Sequence, residues 1–202
     1  MLIWRAYAFE KEGGAIVNLS YFLFPAYERA KSVGDAELWA ELYEDAAALV
    51  AEARLGDHDL PSAWMFVTNE GALVPGPGPN YLPRFGYDAI RIPVYAAWGG
   101  LEAQADLARF ETFWAGFPDA GAPDHVDLVT GRISGRRDVG GAQAIRAMTR
   151  NVLVETDALD APRLPYPAID GPTNYYSGMI NLLAQNAALA RLRADEGAAG
   201  AP

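Results

Sequence analysis

The chain has 202 residues, 51% of them hydrophobic, and 16 Lys and Arg against 26 Asp and Glu give a formal net charge of −10. That length can bury a sizeable core, the composition excludes a disordered chain, and the acidic balance disfavours nucleic acid and anionic membranes, which reward clustered Lys and Arg. The absence of cysteine excludes disulfides, thiolate metal sites and cysteine nucleophiles, and His58 and His125 lie too far apart in sequence to suggest a histidine metal site.

The N-terminal "MLIWRAYAFEKEGG" has a short apolar stretch that Glu10 and Glu12 soon interrupt, so it does not read as a signal peptide. It also lacks the cap or turn that opens a domain, which raises the expectation of a fragment. No run reaches the length of a membrane span.

"NLSYFLFPAYERAKSVG" predicts a helix ending near Gly34, with Pro25 marking either a kink or the true first turn. Asp35 to Ala53 predicts a second helix. Leu38, Trp39, Leu42, Ala46, Leu49, Val50 and Ala53 form its apolar stripe, Asp35 its N-cap and Gly56 its stop. The short connection implies an antiparallel hairpin.

Next, "SAWMFVTNEGALVPG" predicts a β-hairpin turning at Asn69-Glu70-Gly71. A Pro/Gly-rich loop leads into Phe85 to Trp98, predicted as a helix that Gly99 and Gly100 break. Leu101 to Phe117 follows as its partner, with Leu107, Phe110, Trp114 and Phe117 on one side. "HVDLVTGRISG" predicts a further short strand pair. The third helical pair is Val139 to about Val154, carrying Ile145, Met148 and Val152, and Thr173 to about Arg193, carrying Tyr176, Met179, Ile180, Leu183 and Ala187. "DAPRLPYPAIDGP" between them reads as extended, and residues 194–202 as a frayed tail. The expected fold is mainly α: one domain of three α-hairpins with short β-hairpins in the loops.

Within "FGYDAIRIPVYAAW", Asp88 and Arg91 are three residues apart, so on a helix they share a face. One reading is an acid at a helix start tied to a nearby cation. The other is chemical. The pair follows a Gly/Pro/Tyr loop, is flanked by Tyr81, Phe85, Tyr87, Tyr95 and Trp98, and precedes Pro93, which interrupts the hydrogen-bond ladder. A carboxylate beside a cation and aromatic planes suits the activation of water next to a sugar ring. Trp64, Tyr81 and Trp98 lie in or beside loops and are candidate sugar platforms. Trp39, Phe110 and Trp114 lie on helix stripes and are expected in the core. Ser20 lacks a His and Asp arrangement for a nucleophile, "GDHDL" reads as a solvated loop, and "VTGRISGRR" reads as a turn without the P-loop pattern.

The same segment resembles the Tyr-Asp-Ala-x-Arg-x-Pro motif of glycoside hydrolase family 8, which includes bacterial endo-β-1,4-glucanases, xylanases and chitosanases. "NLSYFLFPAYERAKSVGDAELW" resembles that family's Asn-x-Ser-Tyr helix and the helix after it, and "GPTNYYSGMINLLA" its closing Tyr-Tyr helix, in the same order. The resemblance implies about half of an (α/α)6 barrel and an inverting hydrolysis of a β-1,4-linked polysaccharide or oligosaccharide, without metal or cofactor. It implies Asp88 as general base, Arg91 steadying it and contacting sugar, Tyr21 near the water and the central sugar, and Tyr87, Tyr175 and Tyr176 as substrate contacts. The family's general-acid Glu and its Ala-Ser/Thr-Asp-Gly/Ala-Asp helix have no matching motif here, and Glu70 and Glu155 have none to support them as the acid. A C-terminal half is therefore expected, with little activity alone and with self-association or an N-terminal half as partner. The family also implies a secreted or periplasmic setting. Two rival readings remain: a glycan-binding chain without catalysis, and a helical interaction protein in which the Asp88–Arg91 pair is structural. Cellulose, xylan and chitosan are not distinguished.

Overall fold

Apolar, β-branched and aromatic runs form the strands at residues 14–18 and 64–68, and Leu/Ala-rich stripes form the helices, as their side-chain periods require. The computed structural model describes residues 9–76, 78, 80–101, 105–117, 123–137, 140–168 and 175–199. They fall into two compact units, one within residues 1–92 and 125–134, the other within 93–124 and 135–202.

In the first unit, β1 (Glu10–Lys11), β2 (Gly14–Asn18), β3 (Trp64–Thr68) and β4 (Leu73–Pro75) form an antiparallel sheet in that order. The register sets Ile16 opposite Phe66 and Asn18 opposite Trp64. Gly14 is required by close approach, since a Cβ there would lie 2.1 Å from the Val67 carbonyl oxygen. The expected β3–β4 hairpin is present, closed by the Gly71 N–H donating to the Thr68 carbonyl at 2.9 Å. The strands from Glu10 to Asn18 were not anticipated.

Asn18 ends β2 and caps a 3-10 turn, Leu19–Tyr21. α1 then runs Phe24–Lys31 and α2 runs Ala36–Glu52, and the two pack together as the expected hairpin. The single helix expected from Asn18 is corrected. The chain leaves the 3-10 turn at Phe22, and Pro25 sits in the first turn of α1, where its missing N–H costs no hydrogen bond. Asp35 caps α2 as predicted, accepting from the Leu38 N–H at 3.1 Å. Trp39 is only half-buried, packed against Tyr27 at a centroid distance of 5.8 Å, so it is not the core residue expected.

Phe85 is likewise not helical. It belongs to β5 (Arg84–Phe85), which pairs with β6 (Pro123–Asp127), and β7 (Ile133–Arg137) completes a three-stranded sheet. A 3-10 turn, Ala89–Arg91, follows, and α3 begins only at Ile92. The reason is Pro93: inside a helix begun at Phe85, its ring would meet the carbonyl of Ala89 and break the ladder.

α3 (Ile92–Trp98), in the second unit from Pro93 onward, ends at the predicted glycines. Gly100, at φ 75°, donates to the Ala97 carbonyl and Leu101 to the Ala96 carbonyl, the pairing of a Schellman motif. Leu101 therefore caps α3 and does not start the next helix. α4 spans Leu107–Ala115, α5 Gly141–Glu155 and α6 Tyr175–Ala199, with α5 packed on both α4 and α6. Phe110, Trp114, Ile145, Met148 and Ala187 are fully buried, as their stripes predicted, and Ala184, outside the predicted stripe, is buried too. Met179 departs from its stripe and is exposed along with Tyr175, Leu182, Leu189 and Leu192. α6 also continues six residues past Arg193 to Ala199; the expected starts at Thr173 and Val139 and residues 200–202 lie outside the described residues. Asn151 pins the extended segment before α6, donating to the Leu164 carbonyl at 3.0 Å and accepting from the Leu164 N–H at 2.8 Å.

Candidate active site

Asp88 and Arg91 sit at the start and end of the 3-10 turn, so the three-residue spacing brings them together without a full helix. The Arg91 Nη2 donates to Asp88 Oδ1 at 2.7 Å, and its Nε to the Asp88 main-chain oxygen at 3.4 Å. The side chains are 45% exposed for Asp88 and 21% for Arg91, so the carboxylate is tethered at one oxygen yet open to solvent. A charge-assisted contact of this length fixes the carboxylate's direction.

Tyr21 reaches the same place from the Leu19–Tyr21 turn. The Arg91 guanidinium carbon lies 5.9 Å from the Tyr21 ring centroid, in cation–π range. Tyr21 meets Trp64 edge-on at 6.0 Å, and Trp64 meets Tyr81 at 4.8 Å and Phe9 at 5.7 Å. The three expected members Asp88, Arg91 and Tyr21 thus converge, and two of the three loop aromatics, Trp64 and Tyr81, continue the aromatic surface. Tyr87 is exposed beside Asp88. A cavity of about 300 Å³ adjoins them, lined by Trp64, Asn80, Arg84, Tyr87, Asp88 and His125 among others.

Tyr175 and Tyr176 begin α6 in the second unit; Tyr175 is exposed and Tyr176 half-buried. Trp98, the last residue of α3, is half-buried in that unit also. Glu155 lies 3.9 Å from both Arg163 and Arg191, a tie between its helix and its neighbours, and Glu70 is exposed on the β3–β4 turn. Asp57 and His58 lie in an exposed 3-10 turn, Gly56–His58, and among the described residues no three His, Cys, Asp or Glu are grouped to hold a metal.

Sequence reasoning missed Asn80, Arg84 and His125, the last two gathered by the β5–β6 pairing, and it missed the hydrogen-bonding of Ser20. Ser20 is 1% exposed, accepts from Arg91 Nη2 at 3.2 Å and donates to Asn18 Oδ1 at 2.6 Å. The signal available was that Asn18 and Ser20 immediately precede Tyr21.

A mainly helical scaffold bearing a tethered carboxylate among aromatic rings defines a class of site suited to sugar rings, whose apolar faces stack on aromatics while their hydroxyls need polar partners. The glycosyl hydrolases family 8 model matches residues 1–189, and the chain belongs to that family. A probable endoglucanase from Novacetimonas hansenii is 35% identical over 91% of this chain and 51% of its own length. An endoglucanase from Cellulomonas uda is 28% identical over 86% of this chain and 47% of its own. Among solved structures, the endo-beta-1,4-glucanase CMCax from Acetobacter xylinum aligns with a TM-score of 0.77 at 34% identity, over 90% of this chain and 54% of that one. A family 8 endoglucanase from Klebsiella pneumoniae aligns with a TM-score of 0.75 at 27% identity, over 91% and 55%. The chain thus spans about half the length of the curated relatives it matches. Its mainly α fold matches about half of the (α/α)6 barrel of these structures. No helix among the described residues is long and apolar enough to cross a membrane.

Proposed function

We propose that this chain serves an endo-β-1,4-glucanase reaction in which Asp88 is the general base. The observation that carries the reading is the half-exposed Asp88 carboxylate, tethered by Arg91 and open to a cavity beside Trp64 and Tyr87, in a chain of this family. In an inverting hydrolysis the base removes a proton from water as the water oxygen bonds to the anomeric carbon. The glycosidic oxygen departs with that bond's electrons and takes its proton from a second carboxylic acid, roughly 6.5–9.5 Å from the base. Arg91 fixes the direction of the Asp88 carboxylate, Tyr21 lies beside the water, and Trp64, Tyr81 and Tyr87 receive sugar rings. The general acid comes from the part of the family fold that this chain does not match. Polymeric glucan does not cross membranes, so the activity belongs outside the cytoplasm, in the periplasm or the medium.

The test is turnover of cellohexaose by this chain alone and together with the unmatched half of the Novacetimonas hansenii relative. The pair should cleave cellohexaose, and Asp88→Asn should cut turnover by about 10²–10⁴-fold while sparing binding. Parallel assays with xylohexaose and chitosan decide the substrate. Unchanged turnover in Asp88→Asn would remove the base assignment. Binding without turnover in every preparation would favour a glycan-binding role instead.

A further inference from the structure

Asp88 and Arg91 are bonded only to each other's local turn unless something distant holds the guanidinium. That distant holder is the buried pair Ser20 and Asn18. Ser20 lies 71 positions from Arg91 in sequence, and its hydroxyl accepts from Arg91 Nη2. Arginine has no acceptor, so the direction of this bond is forced. The serine's own proton is then free for Asn18 Oδ1, at 2.6 Å, and the Ser20 main-chain N–H donates to the same oxygen at 2.9 Å. Asn18 is the last residue of β2 and is paired in register with Trp64. A continuous path therefore joins the half-exposed carboxylate to the sheet: Asp88, Arg91, Ser20, Asn18, strand.

The residue type at position 18 carries a second observation. Asp and Asn cap turns about equally well. Asn18 Nδ2 is buried without a hydrogen-bond partner among the described residues, and Asp there would set a charged oxygen in the same unpartnered place at greater cost. What Asp would add is a second carboxylate two hydrogen bonds from Arg91, competing with Asp88 for its only cation in this path. A neutral amide oxygen orients Ser20 without drawing charge from Asp88.

We infer that Ser20 and Asn18 are positioning residues for the general base, acting through Arg91 and kept neutral so that the guanidinium serves Asp88. The inference rests on the proposed role of Asp88, and the test separates the two. In the full 202-residue chain, NMR of the Arg91 side chain should show slowly exchanging, well-dispersed guanidinium protons. Ser20→Ala should speed their exchange, leaving only the Asp88 bonds to slow it. Asn18→Asp should shift them as well. Asp88→Asn leaves the Ser20 bond in place, so protection from Ser20 should persist there. In the active pair, Ser20→Ala should lower kcat about tenfold, the scale of one hydrogen bond to a charged group, with KM within about twofold. It should add nothing in an Arg91→Ala background, because the path runs through Arg91. Unchanged Arg91 signals in Ser20→Ala, or kcat losses that add fully to those of Arg91→Ala, would overturn the inference. Retained turnover in Asp88→Asn would instead sink the base assignment, with the Arg91 signals still reporting whether Ser20 holds the guanidinium.

Discussion

Glu111→Gln removes one negative charge from between two arginines and changes almost no volume. Glu111 is on α4, and its side chain is 6% exposed. Its Oε1 accepts from both Nε, at 2.9 Å, and Nη2 of Arg150 on α5, while Oε2 lies 3.8 Å from the Nε of Arg146, one turn earlier on the same helix. The two arginine side chains are 17% and 12% exposed, so neither is in free water. Removing one partner of a buried ion pair typically costs about 3–5 kcal/mol, because it leaves the other charge uncompensated. The residual exposure of the arginines lets them recruit some water, which places the expected loss near the lower end, about 3 kcal/mol. For a chain of this size that is a fall in Tm of roughly 6–12 °C. Circular dichroism at a helix wavelength reads it directly, since α4 and α5 carry the ion pair. A Tm within about 2 °C of the parent would show that the arginines are satisfied without Glu111 and would refute the reasoning.

Two further outcomes follow from particular contacts. The Asp127 carboxylate accepts from the Thr130 and Val129 N–H groups at 2.8 and 3.0 Å, and chiefly the Thr130 bonds hold its pKa below the ordinary value. A lowered native pKa means that this stabilisation is complete above the unfolded pKa and disappears as pH falls through the native one. Amide-exchange protection at Val129 and Thr130 should therefore drop below about pH 4, and Asp127→Asn should flatten that dependence; an identical acid profile in the variant would contradict it. Asn151→Ala removes both hydrogen bonds to Leu164, a loss of about 1–2 kcal/mol. Trypsin should then cut after Arg163 about tenfold faster, provided cleavage tracks local opening, whereas an unchanged rate would show the segment is held elsewhere.

Much was legible in the sequence because it depends on local pattern. The α2 stripe and its Asp35 cap, the glycine stop after Trp98, and the β3–β4 hairpin all rest on contacts within a few residues. The i, i+3 spacing was enough to join Asp88 to Arg91, because a 3-10 turn and an α-helix both bring such residues together. Tyr21 was linked to them only through a family motif, and its cation–π distance came from packing. Local pattern misled where one apolar run served two elements. Phe85 is a strand residue although the run continues into α3, and Leu19–Tyr21 is a separate turn although α1 follows at once. In both cases a proline fixes the true helix start, but what precedes it is chosen by distant partners: β6 for Phe85, and the sheet carrying Asn18 for the turn.

The sequence by itself determined the apolar stripes of α2, α4 and α5, the glycine stop after α3 and which carboxylate stands beside a cation, since each follows from residue type and spacing within a single element. Only the tertiary structure decided that Ser20 holds Arg91 across 71 positions and that His125 and Arg84 share a cavity with Asp88. It also decided that Glu111 is locked between two arginines. Hydrogen bonds and ion pairs act over a few ångströms, and which distant residues come that close is set by how strands pair and helices pack, which no local period encodes.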